Sequence, residues 1–184
     1  MPISPVIIAS GRRGRVLLAA ALLAAQALAW APGIAGSAAA AGIDAQCAGS
    51  FTRTFSPPVT VTPQTVTATS TDSYSTCTAG PAGIGTTVTT LTLSCVNLTA
   101  GPAETETITW QDGTGDTSTI AWSAPVIAGQ TVVFTGTVTA GLHVGGAATK
   151  VTSGISYVGS VIPCLLGTPV AQTSGLIDSL LITS

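Results

Sequence analysis

Few side chains in this sequence can do chemistry: four cysteines, one histidine, seven carboxylates and five basic residues among 184. Cys47, Cys77, Cys95 and Cys164 contain no pair at the close spacing of a zinc knuckle, and a lone histidine cannot complete a ligand set. They also lack the Cys-x-x-Cys spacing and basic neighbours of a redox-active thiol. An even count therefore predicts two structural disulfides, for which three pairings exist.

The remaining candidates each meet a plainer reading. Asp112-Gly113-Thr114-Gly115-Asp116 places two carboxylates around a flexible loop, as a Ca²⁺ site would. It lacks the spaced ligands and closing Glu of an EF-hand, and Asp-Gly between alternating strands predicts a hairpin turn. Glu104 and Glu106 share strand parity and so project side by side, whereas glycoside hydrolysis needs carboxylates facing each other across a cleft. They are expected at a solvated strand end. His143 would have to be the base of any Ser-His-Asp triad, but no Gly-x-Ser-x-Gly elbow is present, and an ordinary loop histidine is expected. Gly80-Pro81-Ala82-Gly83-Ile84-Gly85 departs from the phosphate-binding glycine pattern. Asn97-Leu98-Thr99 is a formal glycosylation sequon, expected to be silent behind a bacterial-style leader. Trp110, Trp122, Phe134 and Tyr157 could stack on sugar rings, yet all four take the parity of aliphatic neighbours and are expected in the core. No catalytic, cofactor or metal residue is predicted, and the chain is not expected to be an enzyme.

The elements that would position these residues are strands. After Cys47, β-branched or apolar residues alternate with threonine at period two, and all 31 threonines fall beyond residue 50. Runs begin at Val59, with a phase shift at Pro63-Gln64, and recur over 86–96, 105–111, 117–124, 131–140, 150–158 and 176–182. The run over 150–158 aligns Val151, Ile155 and Tyr157 as an inward face. Ser56-Pro57-Pro58, Gly101-Pro102, Ala128-Gly129 and residues 141–146 supply the breaks. Seven or eight short strands with no convincing helix past the leader predict an all-β, antiparallel, immunoglobulin-like sandwich with two disulfides. If the strands run up and down, Cys47 and Cys77 share one end, and Cys95 and Cys164 share the other. That favours Cys47–Cys77 and Cys95–Cys164.

Residues 1–41 read as a secretory signal: Arg12, Arg13 and Arg15 precede an apolar run from Val16 to Ala31, and small residues at 37–42 suit cleavage after Ala40 or Ala41. The secreted domain is then 42–184, with no membrane span after cleavage. The C-terminal Leu180-Leu181-Ile182-Thr183-Ser184 carries no sortase-type motif, so an extracellular, released product is expected. Without the leader, two basic residues face seven acidic ones, which excludes a nucleic-acid-binding surface.

The segments Thr107-Ile108-Thr109-Trp110-Gln111-Asp112-Gly113, Gly129-Gln130-Thr131-Val132-Val133 and Thr135-Gly136-Thr137-Val138-Thr139-Ala140-Gly141 resemble a family of small, secreted, Thr-rich β-sandwich proteins of high-GC Gram-positive bacteria. The resemblance covers most of the mature chain and implies a fold, with no activity or catalytic residue to carry over. The expected role is a non-catalytic binding or structural module whose partner is an extracellular protein or glycan, with self-association through edge strands as one form. A small-molecule or carbohydrate binder using a cleft between sheets is the alternative. A hydrolase ranks last.

Overall fold

Threonine alternating with apolar residues favours strands because its branched Cβ fits the pleat while one face stays wet. A computed structural model of the chain describes residues 42–98, 103–129, 131–154 and 157–184; the leader expected over 1–41 lies outside them. Among the described residues, the strands are β1 (Ile43–Val59), β2 (Gln64–Ala79), β3 (Gly83–Leu93), β4 (Glu104–Trp110), β5 (Thr117–Trp122), β6 (Val126–Ala128), β7 (Thr131–Gly141), β8 (Ala147–Ser153) and β9 (Val170–Thr183). Helix α1 (Tyr157–Leu165) links the last two.

Pairing is antiparallel throughout. β1 to β5 pair in chain order, β5 pairs with β7, β7 with β8 and β8 with β9. β9 returns to β1, from Ile43↔Thr183 to Val59↔Val170, and closes the sheet. β6 is a three-residue addition beside Thr131–Val133 of β7. The result is a closed, eight-stranded, up-and-down barrel rather than the immunoglobulin-like sandwich expected from the sequence. Period two reports that one face of each strand is buried. Whether those faces meet across two sheets or around one is decided by the β5–β7 and β1–β9 pairings, which leave no local trace.

With β1 taken as running upward, Cys47 and Cys77 are register partners low on β1 and β2, with Cα atoms 4.0 Å apart and a disulfide between them. Cys95, just past the upper end of β3, is bonded to Cys164 in α1, with Cα atoms 5.7 Å apart. Both bridges are those favoured by strand direction.

Two local expectations are corrected. The strand expected over 150–158 stops at Ser153; Gly154 adopts a φ of 59° and the chain turns into α1. A nine-residue helix has little stability of its own, and packing supplies it: Val161 and Cys164, three residues apart, join an apolar cluster with Phe55, Val59 and Leu93. Ser56-Pro57-Pro58 lies within β1 rather than in a turn, where the β1–β9 register jumps from Thr54↔Gln172 to Val59↔Val170. Prolines, which lack an N–H, are tolerated where the ladder is interrupted. The phase shift at Pro63-Gln64, where the sequence suggests a bulge or bend, is the turn between β1 and β2.

Inside, the barrel is layered. The lower cluster holds Phe51, Tyr74, Ile108, Trp110, Ile120, Ile177 and their neighbours; the upper one, under α1, holds Phe55, Val59, Val66, Leu93 and Val170. Between them, buried Ser70, Asp72, Thr87, Glu106, Lys150, Thr152 and Thr173 form a polar belt.

Candidate functional site: a charged belt inside the barrel

The belt is built by parity. β2 presents Val66, Ala68, Ser70, Asp72 and Tyr74 inward and leaves Thr65, Thr67, Thr69, Thr71 and Ser73 on the other face. β4 turns Glu106, Ile108 and Trp110 inward, and β8 turns Ala148, Lys150 and Thr152 inward. Lys150 Nζ therefore meets Asp72 Oδ2 at 2.7 Å and Glu106 Oε2 at 2.8 Å, with all three side chains at most 6% exposed. Tyr74 donates its hydroxyl to Glu106 Oε1 at 2.6 Å, and Trp122 Nε1 donates to Glu106 Oε2 at 2.7 Å. The ammonium also lies 5.1 Å from the Trp122 ring centroid and 5.0 Å from that of Phe134. Gly85 on β3 is required here, because a Cβ at that position would collide with Glu106 Oε1. Higher in the belt, Arg53 of β1 donates to Glu104 Oε2 at 3.1 Å.

Burial dominates the electrostatics. It raises the Asp72 carboxyl to about 6 against the opposing attraction of Lys150, with Glu106 adding repulsion. Burial alone would drive the proton off Lys150, but Glu106 and Asp72 together outweigh it and hold its pKa above the ordinary value. Tyr74 is raised by burial and by the two carboxylates it faces. One ammonium facing two carboxyl groups leaves the triad with an excess of negative charge in a water-poor interior, a costly arrangement.

The sequence-based candidates separate around this belt. Glu104 and Glu106 are not a solvated strand end: the Glu104 side chain is 5% exposed and Glu106 is fully buried. Their parity is that of Ile108 and Trp110, and this is the signal that points them inward. Lys150 was hidden differently, because the sequence places Val151 on the inward face, and the structure reverses that parity. Arg53, Asp72 and Tyr74 carry no motif at all.

Trp110 and Trp122 lie in the core as expected, and Phe134 packs against it half-buried; the Tyr157 side chain lies outside the described residues. Asp112 closes its own loop, accepting from Thr114 N at 2.9 Å and Thr114 Oγ1 at 2.6 Å, and these hydrogen bonds lower its pKa. His143 adopts a φ of 63°, sits 3.9 Å from Asp44 Oδ1 and meets Trp110 edge-on. Asn97 uses its side chain to close the turn after β3, accepting from Ser94 Oγ at 3.1 Å.

Among the described residues, an opening lies beside the belt at Glu104. β3 and β4 pair only from Gly83↔Trp110 to Thr87↔Glu106, so the upper half of β3, from Val88 to Leu93, runs on without β4 beside it. A groove of about 420 Å³ lies there, lined by Val88, Thr89, Ala103, Glu104, Thr105 and Trp122 among others. Comparison of the chain with protein-family models, curated proteins and solved structures found no match.

Proposed function

We propose that this chain is an exported, non-enzymatic barrel module with a structural role outside the cell. The observation that carries the reading is the division of charge. Arg53 and Lys150, the only cations beyond the leader, are both turned inward, while the outward faces of the strands are mostly threonine and serine. A lateral row runs Thr52, Thr71, Thr86, Thr107, Thr119 across five strands, from one register partner to the next. Such a surface is wet but uncharged. It can pack against similar neutral surfaces without steering or repelling them.

Export is supported by the basic, apolar and small-residue leader together with two disulfides, bonds that persist in oxidising compartments. No helix among the described residues is long and apolar enough to cross a membrane. Self-association through strand edges has little edge to use, because closure pairs most of them; among the described residues, β6 and the upper half of β3 are where an added strand would fit.

A second reading rests on the β3–β4 groove, whose Trp122 and Glu104 would suit a sugar or another small polar ligand. The test is a thermal-shift screen and a glycan array on the purified exported protein. The structural reading expects no shift and no array hit. A stabilising ligand whose effect disappears in Ala103→Trp, which fills the groove, would replace it with the binder. Hydrolase activity abolished by His143→Ala would overturn both.

A further inference from the structure

Lys150 is the single lysine of the whole sequence, and it lies in the middle of a closed barrel between two carboxyl groups. We propose that Lys150 and Asp72 condense to an intramolecular isopeptide bond, with Glu106 as the proton carrier. The two carboxyl groups are not equivalent. Glu106 receives hydrogen bonds from Tyr74, Trp122 and Lys150, so its two oxygens are arranged as acceptors and its position is fixed. Asp72 has Lys150 as its one close partner, the Tyr74 hydroxyl being 3.4 Å away. Asp72 is therefore the electrophile and Glu106 the base.

The step balances without any co-reactant. Lys150 passes one proton to Glu106 along the 2.8 Å hydrogen bond. The freed nitrogen lone pair forms a bond to Cγ of protonated Asp72, giving a tetrahedral intermediate. Glu106 carries a proton from that nitrogen to one of the Asp72 oxygens, the C–O bond breaks, and water leaves. An ammonium, a carboxylic acid and a carboxylate become an amide, a water and a carboxylic acid. Hydrogens and charge are conserved.

Two physical reasons favour the bond over the ion pair. Holding amine and carboxyl in contact turns a bimolecular condensation into an intramolecular one, where effective concentrations reach about 10⁵–10⁸ M. The product of that step also carries no formal charge, so the cost of keeping an ammonium and a carboxylate among Trp122, Phe134 and Tyr74 is removed. The bond would tie β2 to β8 across β1 and β9, a connection that neither disulfide makes.

Three readouts on the exported protein, reduced, alkylated and denatured, test this. Its intact mass is expected about 18 Da below that of the sequence from its own N-terminus, one water lost in acyl transfer to the amine. Trypsin should cut after Arg53 but not after Lys150, giving residues 54–184 as one product whose fragment spectrum joins the Asp72 and Lys150 segments. An amine-reactive label should attach once, at the N-terminus. Glu106→Gln, which cannot take the proton, should restore the full mass and the cut after Lys150 while keeping a β-sheet circular dichroism spectrum. If that variant fails to fold, the wild-type mass and digest still decide. A wild-type chain of full mass that is cut after Lys150, or one lighter by a water yet still cut there, overturns the proposal.

Discussion

The outer wall and the inner belt of this barrel use the same strands in opposite ways. On β4, Thr105, Thr107 and Thr109 face outward while Glu106, Ile108 and Trp110 face inward. Outside, each hydroxyl has water as an alternative partner, so a substitution changes little. Inside, the charged groups depend on particular neighbours: Glu106 on Tyr74, Trp122 and Lys150, and Lys150 on Asp72 and Glu106. The same chemical group is cheap on one face and demanding on the other because only one face keeps access to solvent.

The contrast can be broken from the inside first. The isopeptide step needs the state in which Asp72 is protonated while Lys150 and Glu106 share the remaining charge. Because Asp72 is raised to about 6 in surroundings that include Lys150, Glu106, Glu104 and Tyr74, that state is abundant below pH 6 and falls as pH rises. Chain refolded from denaturant before linking should therefore cross-link about 90-fold more slowly at pH 8 than at pH 5 and about 50-fold more slowly than at pH 6, by the time course of the mass loss.

Lys150→Met removes the only amine from between Asp72 and Glu106, and with it the proposed bond; guanidinium unfolding should show a loss of about 3–5 kcal/mol or more, since two carboxyl groups are left buried together without a cation or an amide. The disulfides divide by loop length. Removing Cys95–Cys164, which spans 69 residues, should cost about 4 kcal/mol, and removing Cys47–Cys77, which spans 30, should cost slightly less, by less than about 1 kcal/mol. Arg53→Met leaves Glu104, beside the groove, without its partner, and the expected loss is about 1–3 kcal/mol by the same unfolding measurement. Thr107→Lys, in the outward threonine row, should stay within about 0.5 kcal/mol of wild type. A large loss there would show that the outer wall is as constrained as the belt.

Much of the fold is legible in the residues. The alternation over 105–111 identifies β4, Asp112-Gly113 its hairpin, and the cysteine positions along successive up and down strands identify both bridges. α1 was not legible: in the sequence Ile155 and Tyr157 continue the alternation begun at Val151, and the helix exists because Val161 and Cys164 find a cluster assembled from β1, β2, β3 and β9. The belt was half legible. Glu106 betrays itself by sharing parity with Ile108 and Trp110, but Asp72 stands among threonines and serines whose own pattern is weak, and Val151 draws the inward face of β8 one residue out of register.

By itself the sequence determined which residues become strands, which cysteines can meet, and how little charge there is to distribute, because these depend on local periodicity, turn chemistry and composition. Tertiary structure decided that the sheet closes, and closure decided the rest. Pairing β9 with β1, and β5 with β7, turns one face of every strand toward a common axis, so Asp72, Glu106 and Lys150, as many as 78 residues apart, come within hydrogen-bond reach where water cannot separate them. That meeting follows from long-range strand pairing, which no window of neighbouring residues encodes.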